Sequence, residues 1–255
     1  MTSATRHPYL DHRGPLAFAH RGGAADGLEN TAAQFRRAVA AGYRYLETDV
    51  HVTADGRLVA LHDATLDRVT DGVGRIAELP WSQVCRARVA GGEPVPLFAD
   101  LLEEFPEVRW NVDCKAESAL LPLLDLVGRA GAWDRVCLGS FSEARVARAQ
   151  RLAGPRLATS YGTRGVLGLR LRSWGLPAAV RRSAVAVQVP ERHGRVPVVD
   201  ARFVRSAHAR GLQVHVWTVN EAERMHRLLD LGVDGLMTDR LEVLRTVLEE
   251  RGAWP

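Results

Sequence analysis

Short, apolar, β-branched runs alternate with longer segments of helical periodicity along this chain, and this alternation constrains its fold more than any other feature. The pattern is typical of parallel βα units. Nine runs are candidate strands: Leu16–His20, Tyr45–Val50, Leu58–His62, Arg109–Lys115, Arg135–Ser140, Arg156–Tyr161, Ala184–Val189, Gln213–Thr218 and Gly235–Thr238. A (β/α)₈ barrel needs eight strands and about 250 residues. The 255 residues suit one such barrel, although they would also accommodate two small domains.

The third run is interpreted as an antiparallel return strand and not as a barrel strand. It follows the second run across Asp55-Gly56, and Asp-Gly between strand residues is a strong hairpin signal. A parallel connection would need a crossover of about a dozen residues or more, for which the gap is too short. With Asp55 and Gly56 as a two-residue turn, the predicted register places His62 opposite Asp49.

We therefore expect an α/β fold, a (β/α)₈ TIM-type barrel formed by a single domain over residues 1–255. Between about residues 64 and 107 the alternation loosens around Asp71–Gly74 and Gly91-Gly92. This stretch is predicted to be a small insertion after the second-strand hairpin that caps one end of the barrel. The first residues, about 1–13, are expected to form a disordered tail.

Composition and charge narrow the classes of function. Hydrophobic residues make up 46% of the chain and charged residues 25%, ordinary values for a globular protein with a sizeable core. A net charge of +4 suits anionic substrates but is too small to indicate nucleic-acid binding. No run of about 18 apolar residues is present, so we expect no stable membrane insertion. Three cysteines without CxxC spacing, Cys85, Cys114 and Cys137, indicate reduced thiols in a cytoplasmic protein.

Chemically active side chains gather at the carboxyl ends of the first two predicted strands, where a parallel barrel places its active site. His20 and Arg21 supply a proton-transfer group and a phosphate-binding fork, although a histidine in an ordinary turn is the alternative. Glu47 and Asp49 are two residues apart on a strand and therefore share one face. Two neighbouring carboxylates repel each other unless a cation, such as a divalent metal, lies between them.

The fourth run repeats this two-residue period. Asn111, Asp113 and Lys115 share a face, whereas Cys114 is predicted to face the helices and is a poor candidate for a nucleophile. Lys115 is the only lysine among 34 basic residues. A compact ammonium differs from a planar guanidinium, so this position is interpreted as one that requires lysine, with retention by chance as the alternative.

Of three later features, two have two readings and one has a single reading. Trp217 lies at a strand end and would either wall a substrate pocket or pack in the barrel core. Asp239 would cap the last helix. Residues 163–182 contain five arginines, four leucines and no carboxylate, which favours either an anionic membrane surface or an ordinary amphipathic barrel helix.

Together these residues resemble the signature of the glycerophosphodiester phosphodiesterase family. The motifs are His20-Arg21-Gly22, Glu29-Asn30-Thr31, Glu47-x-Asp49-Val50, Thr53-x-Asp55-Gly56, His62-Asp63, Leu66-x-Arg68, Gly72-x-Gly74 and Thr238-Asp239. They extend over about residues 16 to 245 and are highly specific as an ordered set. The resemblance implies a TIM-type barrel of lipid and glycerol metabolism that hydrolyses small diesters, such as glycerophosphocholine, to sn-glycerol 3-phosphate and an alcohol.

The resemblance also implies roles for the site residues other than Trp217. His20 and His62 would be the general acid and base, and Arg21 and Lys115 would bind the phosphate. The metal ligands, for Mg²⁺ or Ca²⁺, would be Glu47, Asp49 and Asp113. The family usually has glutamate where this chain has Asp113, which leaves a bridging water or a different metal preference open. Attack by water and attack by the neighbouring glycerol hydroxyl, through a cyclic phosphate, both remain open.

Two other functions compete with this one. A lysophospholipase D-type activity on membrane lysolipids would use residues 163–182 as its membrane contact. A catalytically inactive, metabolite-binding barrel is disfavoured by the retention of both histidines, all three carboxylates and the single lysine. The sequence does not predict the preferred alcohol or the oligomeric state.

Overall fold

The computed structural model describes residues 7–180 and 183–254, and within these ranges the chain forms thirteen strands and nine α-helices. The strands are β1 Leu16–Ala19, β2 Tyr45–Val52, β3 Leu58–Ala60, β4 Arg88–Val89, β5 Glu93–Pro94, β6 Arg109–Cys114, β7 Val136–Gly139, β8 Ala158–Thr159, β9 Ala186–Pro190, β10 Arg192–His193, β11 Val196–Pro197, β12 Gln213–Trp217 and β13 Gly235–Thr238. The helices are α1 Ala32–Ala40, α2 Trp81–Val84, α3 Phe98–Glu104, α4 Glu117–Arg129, α5 Glu143–Ala153, α6 Thr163–Ser173, α7 Ala201–His208, α8 Ala222–Asp230 and α9 Leu241–Glu250.

Eight of the strands form a parallel barrel in the order β8-β7-β6-β2-β1-β13-β12-β9. An isolated parallel bridge between Ser160 and Ala186 joins the two ends of this order, so the barrel is nearly closed. The strand β3 lies off the path and pairs antiparallel with β2. The predicted (β/α)₈ TIM-type barrel and the return strand are therefore confirmed.

The helices cover the barrel because alternate strand residues point outwards. On β6, Trp110, Val112 and Cys114 belong to the core cluster between strands and helices. Phe35 of α1 and Phe98 of α3 meet the Trp110 ring edge-on, at centroid distances of 5.0 and 5.6 Å. Such aromatic pairs contribute about 0.5–1.5 kcal/mol each beyond the area that they bury. Cys114 thus points away from the barrel interior, as its sequence position predicted.

The predicted hairpin register is wrong by one residue. Gly56, at φ +82°, is the last residue of a three-residue turn that Thr53 closes with a backbone hydrogen bond of 2.9 Å. Three-residue turns of this kind are common in hairpins, and the extra residue shifts every pair. His62 is therefore not paired opposite Asp49. The strand ends at Ala60, and His62 stands in the loop that follows. The observed pairs are Val50 with Ala60, His51 with Val59 and Val52 with Leu58.

The N-terminal segment closes the amino-terminal end of the barrel. The prediction of a disordered tail up to Arg13 is therefore wrong for the part of this segment that the structure describes. Tyr9 and Leu10 are buried among the amino-terminal ends of the strands. The Tyr9 ring packs edge-on against Tyr45 at 5.5 Å, and the Tyr45 hydroxyl donates to the Tyr9 carbonyl at 2.7 Å. Residues 1–6 lie outside the described ranges.

The predicted insertion divides into two parts. Residues up to about 97 build a small separate core next to β3, whereas α3 packs in the main core as a barrel helix. The buried residues of the small core are Val59, Leu61, Leu66, Ile76, Val84, Ala87, Val89 and Val95. In the described ranges, no helix has both the length and the apolar composition needed to cross a bilayer.

Candidate active site

The loop after β1 brings backbone and side chains close to the carboxylates of β2. Arg21 adopts a left-handed conformation at φ +50°, and its backbone N–H donates to Glu47 Oε2 at 3.0 Å. Gly23 has φ +94°, and a Cβ there would lie 2.6 Å from the Leu241 side chain. Glycine is thus required where this loop crosses the start of α9. The tight loop places His20 and Arg21 over the barrel mouth.

His20 is held by a carboxylate that directly follows the last barrel strand. Its Nδ1 lies 2.7 Å from Asp239 Oδ1, and Asn220 Nδ2 donates to the other oxygen of Asp239 at 3.0 Å. The predicted role of Asp239 as a helix cap is wrong, because α9 begins after Arg240 and its cap position has no side-chain hydrogen bond. Burial works against ionisation of Asp239, but the bonds from His20 and Asn220 lower its pKa overall.

His62 has a matching partner within its own loop. Its Nδ1 lies 2.6 Å from Asp63 Oδ1, and Arg68 Nε donates to Asp63 Oδ2 at 2.5 Å. The Arg68 hydrogen bond is the main reason that the pKa of Asp63 falls to about 2. Arg68 also donates to both oxygens of the buried Glu29, at 2.7 and 3.1 Å, and Arg21 Nη1 donates to Glu29 at 3.2 Å. The two loops are therefore tied together.

Because Asp63 and Asp239 are held ionised, each accepts a hydrogen bond from the Nδ1–H of its histidine. The Nε2 nitrogen of each ring then remains for chemistry. For His20, this nitrogen lies 3.8 Å from Glu47 Oε2. Both rings are partly exposed, so they are accessible from the barrel mouth.

The three predicted metal ligands lie on adjacent strands. Asp49 pairs with Asp113 in the parallel register of β2 and β6, and Glu47 pairs with Asn111. Burial, and then the negative charge of Asp49, raises the pKa of Glu47 to about 7. Asp49 is equally buried, yet its pKa is lowered because Lys115 and Arg21 offset the burial. Asp49 Oδ2 also accepts a hydrogen bond of 3.1 Å from Asn30 Nδ2.

The single lysine lies between two of these carboxylates. Lys115 Nζ is 2.8 Å from Asp49 Oδ1 and 2.8 Å from Asp113 Oδ2. The ammonium thus provides a counter-charge to Asp49 and Asp113. Burial nevertheless raises the pKa of Asp113, and Asp113 Oδ1 is buried without a hydrogen-bond partner among the described residues.

The chemical type of these ligands suits a hard divalent cation. Mg²⁺ and Ca²⁺ prefer carboxylate oxygens, and both Asp113 Oδ1 and the carboxyl group of Glu47 lack a full counter-charge in their buried positions. In residues 7–180 and 183–254, no three His, Cys, Asp or Glu side chains are grouped closely enough to hold an ion. The Lys115 ammonium lies between Asp49 and Asp113.

Trp217 lies at the rim of the site. It is partly exposed, and its ring contacts the exposed ring of Phe141 edge-on at 5.9 Å. The Phe141 ring lies 5.9 Å from Lys115 Nζ. Trp217 also packs against the barrel interior, which is one of the two roles that the sequence left open; its contact with a substrate stays a prediction. Together the two rings form an apolar side next to the cation.

Polar side chains fill the barrel below the carboxylates. Gln188 Nε2 donates to Asn111 Oδ1 at 2.7 Å and lies 3.3 Å from His215 Nδ1. His215 Nε2 lies 2.9 Å from Gln213 Oε1. His215 is completely buried, and burial lowers its pKa to about 3, so the ring is neutral. These hydrogen bonds fix the orientation of the polar side chains that form the floor of the site.

The structure brings all eight predicted site residues to the carboxyl-terminal end of the barrel: His20, Arg21, Glu47, Asp49, His62, Asp113, Lys115 and Trp217. Sequence reasoning missed the partners of the two histidines. Asp63 directly follows His62, which was a usable signal. Asp239 becomes a neighbour of His20 only when the last strand closes on the first, and a closed barrel predicts this adjacency.

Comparisons with known proteins identify the family and the fold of this chain. Residues 20–243 match the model of the glycerophosphoryl diester phosphodiesterase family. A probable glycerophosphodiester phosphodiesterase of Mycobacterium tuberculosis is 42% identical over 96% of this chain and 95% of its own length. A solved phosphodiesterase from Silicibacter pomeroyi, described as putative, superposes with a TM-score of 0.81 at 23% identity, covering 98% of this chain and all of the other. A phosphodiesterase of Oleispira antarctica, solved with sn-glycerol 3-phosphate as product, gives 0.78 at 21% identity, covering 92% of this chain and 97% of the other.

Proposed function

The chain belongs to the glycerophosphoryl diester phosphodiesterase family, and from this membership we propose that it hydrolyses glycerophosphodiesters to sn-glycerol 3-phosphate and an alcohol. The product seen in the Oleispira antarctica relative supports the same product here. In the proposal the whole chain is one domain, located in the cytoplasm and acting on diesters released from lipids. The free thiols of Cys85, Cys114 and Cys137 support the location.

One observation carries the mechanism: two histidines each have Nδ1 on an ionised carboxylate, beside the partly buried cations Arg21 and Lys115. The His20–Asp239 and His62–Asp63 contacts measure 2.7 and 2.6 Å. A carboxylate at Nδ1 fixes the ring and its tautomer and leaves Nε2 to move a proton. Two such rings at one site are what a reaction needs when one oxygen must lose a proton and another must gain one.

In the proposed reaction, Arg21 and Lys115 bind the phosphate oxygens and neutralise the charge that develops on them. One histidine accepts the proton of the attacking hydroxyl as its oxygen bonds to phosphorus. The other donates a proton to the alkoxide as its bond to phosphorus breaks. Attack by water gives glycerol 3-phosphate directly, whereas attack by the neighbouring glycerol hydroxyl gives a cyclic phosphate that water then opens. Trp217 and Phe141 would contact the apolar part of the substrate.

A divalent cation, Mg²⁺ or Ca²⁺, belongs to this proposal, with Glu47, Asp49 and Asp113 as the residues that would hold it. Such an ion would act as a Lewis acid on the phosphoryl oxygens. It would also replace the Lys115 ammonium as counter-charge to Asp49 and Asp113, which frees Lys115 to contact the phosphate. Asp113 Oδ1, buried without a partner among the described residues, is the oxygen best placed to accept it.

The direct test is the release of sn-glycerol 3-phosphate from a panel of glycerophosphodiesters, with and without a chelator, followed by ³¹P NMR. We expect the product with several head groups, and its loss on chelation. A lysophosphatidylcholine in the same panel tests lysophospholipase D-type activity, a candidate that the exposed apolar residues Leu167 and Trp174 favour. If the folded protein binds the diesters but releases nothing, the chain is an inactive binding barrel and the proposal fails.

A further inference from the structure

The positive charge of this chain is concentrated in one continuous stretch. Residues 144–190 contain nine arginines and no aspartate or glutamate, whereas the other 208 residues carry 25 basic side chains against 30 carboxylates. The stretch covers most of α5, then β8, α6 and β9. The flank of the barrel that these elements form therefore carries an excess of arginine, although Glu117 pairs with Arg145 and Arg148 and the net charge of the whole chain is only +4.

On this flank, α6 presents an apolar stripe to solvent. Arg164, Leu167, Leu171 and Trp174 are spaced by three or four residues and share one helix face. Leu167 is 57% exposed and Trp174 47% exposed. A barrel helix usually has a polar outer face, and the buried residues of α6 are others, namely Gly165, Gly168, Leu169 and Arg170. We name Arg164, Leu167, Leu171, Arg172, Trp174 and Leu176 the α6 surface.

The α6 surface is held in place by the chain that follows the helix. Leu176 N donates to Leu171 O at 3.0 Å, and Arg172 Nη1 donates to Ala178 O at 2.7 Å. The returning chain passes so close to α6 that a Cβ on Gly168 would lie 2.8 Å from Ala179 O. Leu176, 49% exposed, is thus fixed next to the end of the stripe.

The arginines of this surface differ in their partners. Arg170 is buried, pairs with Asp200 at 2.7 Å and stacks on the Trp174 ring at 4.5 Å. In the part of the chain that the structure describes, no carboxylate pairs with Arg164 or Arg172. Glu143 lies near the start of α6, but it accepts from the Gly165 backbone N–H. The two cations that flank the apolar stripe are therefore available to an external anion.

We propose that the α6 surface binds the surface of an anionic lipid bilayer. Leucine and tryptophan side chains favour the boundary between headgroups and acyl chains, and arginines beside them meet lipid phosphates. A second copy of the chain would oppose like charges across a symmetric contact, which disfavours it as the occupant. Attachment of this kind needs no helix that spans the bilayer, and the described residues contain none.

Vesicle flotation of the 255-residue protein tests this proposal. We expect binding to vesicles of phosphatidylcholine with phosphatidylglycerol to exceed binding to pure phosphatidylcholine at least tenfold, and to weaken as salt rises. The double variants Leu167→Ser/Trp174→Ser and Arg164→Gln/Arg172→Gln should each reduce it at least tenfold. Leu121→Ser on α4, at a leucine that is 50% exposed, and Arg129→Gln are the matched controls and should bind normally.

Several results would overturn the proposal. The first is equal binding of the wild-type protein to both vesicle types, and the second is undiminished binding of both double variants. The third is a wild-type dimer, detected by light scattering, that the Leu167→Ser/Trp174→Ser variant no longer forms. If the thermal melt of a variant differs from that of the wild-type protein, the proposal is judged from the lipid and salt dependence of wild-type binding. Hydrolysis of soluble diesters should be unchanged in all variants, because the α6 surface contains no proposed site residue. Failure of lipid binding and failure of the proposed function are therefore distinguishable.

Discussion

The Lys115 ammonium lies 2.8 Å from a carboxylate oxygen of Asp49, a side chain that is almost completely buried. The same ammonium lies 2.8 Å from Asp113 on the neighbouring strand. A compact charge with three donors can bridge two carboxylates whose strands are directly paired, whereas a planar guanidinium needs more room. This geometry accounts for lysine at the one position where the chain departs from arginine.

We expect Lys115→Arg to reduce kcat/KM by about 10²-fold or more, the usual effect of losing one charge-stabilising donor. The longer, forked side chain would pair with Asp113 and no longer reach the phosphate in the same way. Steady-state kinetics on the best diester, beside a thermal melt, measure this.

The exposed Arg129→Lys makes the reverse exchange on α4 and should leave the kinetics unchanged. Wild-type kcat/KM in a normally folded Lys115→Arg variant would show that the lysine is an accident of composition.

Metal removal should lower both activity and stability. A cation that binds only the folded state stabilises it, by about 2.7 kcal/mol at a concentration of 100 Kd, which for a chain of this size raises Tm by about 5–10 °C. We expect Mg²⁺ or Ca²⁺ to raise the Tm of the chelator-treated protein, and Asp113→Asn to abolish that rise. Asp125→Asn, at an exposed carboxylate of α4, is the control. An equal rise in Asp113→Asn would exclude Asp113 as a ligand.

Much of the fold follows from the sequence because a barrel repeats one local pattern. Buried strands such as β2 and β6 are short runs between helices, and both were located within two residues of their ends. The hairpin register could not be derived, because the same Asp55-Gly56 pair fits a two-residue and a three-residue turn. The burial of Tyr9 could not be derived either, since a short polar segment before the first strand carries no periodicity.

Contacts between site residues on one strand were predictable from the sequence. Contacts between site residues on different strands were less predictable. Asp113 and Lys115 lie on one face by the two-residue period alone. The contact between Lys115 and Asp49 depends on the relative register of two parallel strands, which the sequence does not encode locally. The pair of His20 and Asp239 is 219 residues apart and exists only because the barrel closes.

The buried His215 should make the protein sensitive to acid. Its pKa is about 3 in the folded state, because burial disfavours the charged ring, and about 6.5 when unfolded. Below about pH 6.5 the unfolded chain therefore binds a proton that the folded chain does not, and stability falls until about pH 3. The slope from this residue is at most about 1.4 kcal/mol per pH unit.

Denaturant titrations between pH 7 and 4 measure this slope. His215→Gln should flatten it, whereas His208→Gln, at a half-exposed histidine of α7, should not. If both variants keep the wild-type slope, the acid sensitivity arises elsewhere.

Tyr9 should stabilise the barrel through its ring and not through its hydroxyl. The ring is completely buried, and the hydroxyl has no hydrogen-bond partner among the described residues. We expect Tyr9→Ala to lower the free energy of unfolding by about 3–5 kcal/mol. Tyr9→Phe should raise it by about 1 kcal/mol, because an unsatisfied buried hydroxyl is unfavourable. Chemical denaturation of both variants compares the two effects, and destabilisation by Tyr9→Phe would reveal a partner for the hydroxyl.

The most direct measurement of the proposed chemistry is kcat of His20→Ala and His62→Ala on two diesters, glycerophosphocholine and a glycerophospho-p-nitrophenyl ester. His208→Ala is the control. His208 and Asp234 form a similar histidine–aspartate pair, with 2.7 Å between the two side chains, and this pair lies outside the site. We expect both site variants to lose about 10²–10⁴-fold on glycerophosphocholine while remaining folded. The variant that lacks the general acid should recover most of its rate on the nitrophenyl ester, whose leaving group needs no proton, and the other should not. Near-native turnover of glycerophosphocholine by either folded variant would contradict the assignment of that histidine.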